Sequence, residues 1–190
     1  MIRMDISKQP HYRELIVNDH IRLIEPDVTH AKESLSWVRE PEVIRYMGAD
    51  FSHPTLEGEA KRIEEILQNA DAYSWMIEYD GIVIGNVCIN DIQETTKKMK
   101  TKAGNLTVLI GEKKLWGKGL GSLVSSTVLE WAFHEAGFQA MTARALQENI
   151  ASQKTLEKLG FRETGTEPFD GLIEGKTSMW KNYVMHAGAF

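Results

Sequence analysis

Three glycines alternate in the stretch Leu109-Ile-Gly-Glu-Lys-Lys-Leu-Trp116-Gly117-Lys118-Gly119-Leu120-Gly121-Ser122, immediately before a segment of helical periodicity. Glycine leaves main-chain N–H groups unobstructed, and a helix start adds unpaired donors and the positive end of the helix dipole. Such a loop suits a phosphate or pyrophosphate. Lys97, Lys98, Lys100, Lys102, Lys113, Lys114 and Lys118 put seven cations within 22 residues around it, which would add long-range attraction. The spacing excludes two familiar nucleotide loops. A P-loop needs four residues between its first glycine and Gly-Lys, followed by Ser or Thr. Here five residues separate Gly111 from Gly117-Lys118, and Gly119 follows. The dinucleotide fingerprint G-x-G-x-x-G would need glycine where Ser122 stands.

Other chemistry-bearing residues are sparse. Glu78, Asp91, Glu148, Asp170 and Glu174 are candidate bases, but each alone reads as a solvated surface carboxylate. The six histidines form no metal-ligand pair at useful spacing, so no metal is expected. Cys88, the single cysteine, sits in an apolar run and reads as a small core residue. It cannot form an internal disulfide, which favours a reducing cytoplasmic compartment.

The elements that must position these residues follow from periodicity. Glu14-Leu-Ile-Val and Ile21-Arg-Leu-Ile form a hairpin pattern after a loose lead-in over residues 1–10. Helical faces follow at Ala31, Leu35, Trp37 and Val38, then at Val43, Ile44 and Met47, and then behind a Thr55 N-cap. Two strands flank the Asp80-Gly81 turn. A lysine-rich loop then leads to a strand over residues 105–111. The helix behind the glycine loop ends at Gly137, a strand spans Gln139 to Ala145, and Asn149 caps a helix stopped by Gly160. Two more strands close the chain. The 190 residues, 42% hydrophobic and 26% charged, suit one α/β (α+β) domain with a mixed, mostly antiparallel sheet of about seven strands flanked by helices. A net charge of −5 argues against a nucleic-acid partner, and no apolar run approaches membrane-spanning length.

Trp116-Gly-Lys-Gly119-Leu-Gly121 resembles the [Q/R]-x-x-G-x-[G/A] pyrophosphate loop of the GNAT superfamily of N-acetyltransferases. Asn149-Ile-Ala-Ser152-Gln-Lys-Thr-Leu156-Glu-Lys-Leu-Gly160-Phe161 is similar to the N-x-x-[AS]-x-x-x-x-E-K-L-G-F segment that follows it there. Ile21-Arg-Leu-Ile-Glu-Pro and Trp37-Val-Arg-Glu-Pro-Glu-Val-Ile resemble the ribosomal-protein N-terminal (RimJ/RimL-like) branch, in which Trp is a familiar occupant of position 116. Two departures touch catalysis. Leu156 replaces a tyrosine that serves as general acid in many relatives, and Asn105 stands where similar enzymes often carry an acidic residue.

The resemblance implies acetyl-CoA as cosubstrate, a primary amine as acceptor, direct transfer and no metal. The pyrophosphate would rest on residues Trp116, Gly117, Lys118, Gly119, Leu120, Gly121 and Ser122. The pantetheine arm would pair with the strand edge at Leu109 and Ile110 as an added strand, where a main-chain N–H would polarise the thioester carbonyl. Asn149 offers a donor and an acceptor to the same arm while capping its helix. With Leu156 unable to donate a proton, Ser152, one turn earlier on the same face, is the candidate catalytic acid. The missing base tilts the acceptor toward α-amines. At pH 7.4 roughly a fifth to a third of an α-amine is neutral, against ~0.1% of a lysine. A protein N-terminus is therefore the leading acceptor. A small amine (aminoglycoside, polyamine or amino-acid derivative) and a non-catalytic acyl-CoA-binding sensor are the alternatives. A homodimer is compatible with the sequence but is not written in it.

Overall fold

A computed structural model describes residues 14–47 and 53–190. The lead-in expected over residues 1–10 lies outside them. An eight-stranded sheet runs in the order β1-β2-β3-β4-β5-β6-β8-β7. Its strands are β1 (Leu15–Ile16), β2 (Ile21–Ile24), β3 (Tyr73–Tyr79), β4 (Ile82–Asn90), β5 (Ala103–Ile110), β6 (Ala140–Leu146), β7 (Arg162–Ile173) and β8 (Lys176–His186). The sheet has eight strands against about seven expected, and the two residues of β1 pair with β2 as one arm of the predicted hairpin.

Helices α1 (Ala31–Val38), α2 (Pro41–Ile44) and α3 (Leu56–Gln68) connect β2 to β3. Thr55 caps α3, its side chain accepting from the Gly58 N–H. α5 (Leu120–Glu130) and α6 (Ile150–Leu159) bracket β6, as the sequence predicts, and a π turn over Trp131–Glu135 carries α5 on toward Gly137 at φ +73°. Two hydrophobic layers form. One packs Val87, Ile89, Leu106, Met141, Ala143 and Tyr183 of the sheet with Val124, Val128 and Leu156 of α5 and α6. The other packs Met76 and Val83 with Trp37 and Ile63 of α1 and α3.

The lysine-rich loop is in part a helix, α4 (Ile92–Met99). Its apolar residues, Ile92 and Met99, stand seven apart with only polar ones between, so no helical stripe shows in the sequence. Lys97 and Lys98 sit in its last turn, where cations suit the dipole. These two, with Lys100 and Lys102, precede β5, whereas the glycine loop follows it, about 25 Å away along eight extended residues. The seven lysines therefore do not form one patch around the loop. Lys102 donates to the Ala136 carbonyl at 2.6 Å, and Lys113 bridges Glu40 and Glu42 at 2.7 and 2.8 Å.

Candidate functional site

The sheet parts at its middle. All its pairings are antiparallel except that between β5 and β6, which pair in parallel through Ala103–Ala140, Gly104–Met141 and Asn105–Thr142 alone. Beyond Asn105, β5 stays on β4 and β6 stays on β8, leaving a wedge-shaped cleft that opens toward the end of β5. Which main-chain groups face it follows from antiparallel alternation. Gly111 donates to the Ile84 carbonyl at 2.7 Å, and the Leu109 oxygen lies 2.1 Å from where a Cβ on Gly85 would stand, so both residues turn toward β4. Val108 and Ile110, one residue out of phase, turn their N–H and C=O groups to the cleft. The expected strand edge is thus shifted: Leu109 spends its main chain on β4, and Val108 takes its place.

The glycine loop closes the wide end of the cleft. Gly117 and Gly119 have φ of +73° and +78°, which L side chains rarely adopt, and Gly119 starts α5 without any side-chain cap. The N–H groups of Leu120, Gly121 and Ser122 in the first turn therefore have no intrahelical acceptor. A Cβ on Gly117, Gly119 or Gly121 would meet nothing within 4 Å. The glycines thus leave open space above bare amides, the cradle a diphosphate needs. Lys118 is exposed beside it. Trp116 serves the loop itself, because its indole Nε1 donates to the Ile110 carbonyl at 2.7 Å and ties the loop to the strand end. That leaves the Ile110 N–H for the cleft.

Past the loop lies a pocket of about 370 Å³ lined by Gly119, Ser122, Leu123, Ser126, Lys158, Leu159 and Phe190. Lys158 and Phe190 add a cation and an aromatic face that sequence reasoning missed. Lys158 sits in the last turn of α6, where it reads as an ordinary dipole partner.

On the other side of the cleft, Asn149 caps α6 with its Oδ1 accepting from the Ser152 N–H at 3.1 Å, which leaves the amide NH2 free of the cap. Ser152 is half-buried in the first turn. Leu156, one turn on, is 9% exposed and belongs to the core, so that position offers no proton.

None of the candidate bases stands ready at the cleft. Glu78 pairs with Arg22, and Glu174 pairs with Arg45. Asp170 is exposed on β7, and Asp91 is exposed at the β4–α4 junction. Glu148 accepts from the Ser178 hydroxyl, which holds its carboxyl below the usual range, with a smaller push from the Gln147 amide. Cys88 is half-buried rather than part of either core layer. Burial pushes its thiol up to about 11 despite a hydrogen bond with Thr107, so it is no thiolate at neutral pH. No metal-binding cluster occurs among the described residues.

The α1–α2 corner reaches the same region. Trp37 lies flat against Gly111, where any Cβ would come within 2.1 Å of its ring, and Lys113 bonds Glu40 and Glu42 on either side of Pro41. The far wall is aromatic. Tyr46 and Phe169 pack on Leu146, Ile173 and Trp180, and Arg144 stacks on Trp180 at 4.5 Å.

Comparison with known proteins agrees with this geometry. The model of the acetyltransferase (GNAT) domain matches residues 20–162. A Bacillus subtilis protein, Probable N-acetyltransferase YjcK, is 28% identical over 173 residues, 85% of this chain and 89% of its own. Uncharacterized protein MJ1062 of Methanocaldococcus jannaschii is 32% identical over 108 residues, 53% of this chain, and this match spans only 22% of that longer protein. Among solved structures, RimL, a ribosomal L7/L12 alpha-N-protein acetyltransferase in complex with coenzyme A, superposes with a TM-score of 0.77 at 16% identity, covering 94% of this chain and all of that one. With the family model matched across three quarters of its length, and the strand parting and the uncapped α5 both lying inside that match, the chain belongs to the GNAT acetyltransferase family.

Proposed function

We propose that the chain moves the acetyl group of acetyl-CoA directly onto a primary amine, and that the amine is the α-amine of a protein N-terminus. The parting of β5 from β6 beside the uncapped start of α5 is the observation that carries this reading. It offers an extended arm the main chain of Val108 and the N–H of Ile110, and offers a diphosphate a bare helix turn.

Acetyl-CoA fits the residues present. Its diphosphate would lie on the amides of Gly117 to Ser122, with Lys118 and Lys158 as nearby cations. The open space above the three glycines is what a group of that size requires. Its arm would pair with Val108 and Ile110, and its acyl thioester supplies the electrophile. The Val108 N–H is positioned to stabilise the charge that grows on the carbonyl oxygen. The Asn149 amide holds the arm from the α6 side. Ser152 delivers the proton to the departing sulfur, the role Leu156 cannot fill, and regains one from solvent, to which the acylated nitrogen sheds its surplus proton.

The acceptor follows from what the cleft lacks. Glu78, Glu174 and Glu148 are each taken by a partner and Asp91 and Asp170 are exposed to solvent, so the amine must arrive already neutral. An α-amine does so far more often than a lysine. The resemblance to the RimJ/RimL-like branch points the same way, as does the likeness to a structure described as an α-N-protein acetyltransferase. A reducing cytoplasm, where protein N-termini emerge, is the compartment we assign.

Release of free thiol from acetyl-CoA, followed with a panel of N-terminal peptides, polyamines and aminoglycosides and with mass analysis of the products, tests the reading. Turnover is expected with peptides carrying a free N-terminus, and N-terminally blocked peptides should be inert. Faster turnover of small amines would replace the acceptor. Tight acetyl-CoA binding without turnover across the panel would make the chain a sensor, a reading favoured by Leu156 and the absent base.

A further inference from the structure

Thr107 is exposed although its strand is the fifth of eight, a position where side chains are ordinarily covered on both faces. It lies on the face opposite α5 and α6, where Leu109 packs against the α1–α3 layer and Asn105 is half-buried. Around it stands a linked set of uncharged groups. Asn105 donates through Nδ2 to Asn90 Oδ1 at 3.1 Å and to Thr107 Oγ1 at 3.4 Å. Thr142 Oγ1 donates to Asn105 Oδ1 at 3.4 Å or to the Gly104 carbonyl at 3.3 Å, and the Cys88 thiol bonds Thr107. The set spans β4, β5 and β6. It sits at the apex of the cleft, because Asn105–Thr142 is the last pair before the strands part.

We propose that this set receives the acceptor and selects an amine with no second positive charge beside the reacting nitrogen. The proposal rests on the acetyl-transfer reading. An arm entering from the glycine loop and running along β5 toward Asn105 brings its reactive end to the apex. The amide and hydroxyls there hold one another in fixed orientations and keep unused lone pairs for an acceptor's N–H groups. The charges around the set are already matched. Arg62 of α3 acts on Cys88, and Arg144 follows Thr142 by two residues on the same face. Arg62 is bonded to Glu59, and Glu167 lies 3.9 Å from Arg144, so each cation already has its anion. Asp91, which also acts on Cys88, stands beyond the end of β4. A diamine or polyamine finds no carboxylate within the set to hold its second ammonium, and an unmatched charge is the usual way a site excludes a competitor.

Asn105→Asp places one carboxylate in the set with almost no change of shape. The experiment compares kcat/KM for a lysine-free peptide bearing a free N-terminus with that for spermine, in the intact chain and in the variant. The intact chain is expected to prefer the peptide. Asn105→Asp should move the ratio at least tenfold toward spermine, with acetyl-CoA affinity by calorimetry within twofold. Thr107→Glu, at an exposed position that tolerates charge, should move it the same way should the buried end of Asn105 resist the change. A ratio that stays within twofold in both folded variants overturns the proposal, as does an intact chain that prefers spermine. Acetyl-CoA binding with no thiol release from either amine overturns this proposal and the transfer reading together, whereas release from both at an unmoved ratio overturns this one alone.

Discussion

Gly121 has ordinary helical geometry, so conformation alone does not call for glycine there. In a helix interior glycine costs about 1 kcal/mol relative to alanine. What it keeps is room, since nothing lies within 4 Å of its missing Cβ. Gly121→Glu should therefore leave the thermal midpoint unchanged or raise it, because an acidic side chain suits the first turn. The same change should weaken acetyl-CoA binding at least tenfold by calorimetry. Gly119 is a poorer test, because its φ of +78° makes any side chain costly to the fold itself. Ser152→Ala separates two roles. As proton donor to the sulfur, the hydroxyl matters to kcat, so turnover should fall about tenfold or more while acetyl-CoA affinity holds. Equal losses in both would mean that Ser152 only orients the arm.

The paired turns at one end of the first sheet half carry a pH-sensitive contact. His20 Nδ1 lies 2.8 Å from Asp80 Oδ1, and the Asp80 N–H donates to the His20 carbonyl at 2.9 Å. The bond to Asp80 and its negative charge raise the His20 pKa above its ordinary 6.5. A raised folded-state value contributes stability that is fully present below the unfolded value and is lost as pH rises through the folded one. Denaturant unfolding should show stability falling more between about pH 6 and about pH 8 in the intact chain than in Asp80→Asn, which keeps the turn but not the charge. At this scale the sequence was legible wherever a local rule acts. Asp80-Gly81 makes its turn, Thr55 and Asn149 cap their helices, and Gly137 and Gly160 end theirs at positive φ. It was not legible where partners come from far along the chain. Leu109 and Val108 exchange roles through the β4 register, and Lys113 is claimed by Glu40 and Glu42 some seventy residues earlier.

Across the whole molecule, β1 to β5 and β6 to β8 are two leaves held by three residue pairs and by the helices that cross between them. The N–H groups of Val108 and Ile110 face the gap, so hydrogen exchange there should be fast without acetyl-CoA and slowed at least tenfold with it. Amides of β3 paired to β4 should not change. Equal slowing everywhere would indicate general tightening rather than occupation of the gap. A thioester arm lying in that gap is also a brace, supplying the rungs the two leaves do not give each other. Each turnover would then strip the brace and set it again, so the fold would pass through a looser and a stiffer form once for every acetyl group it hands on.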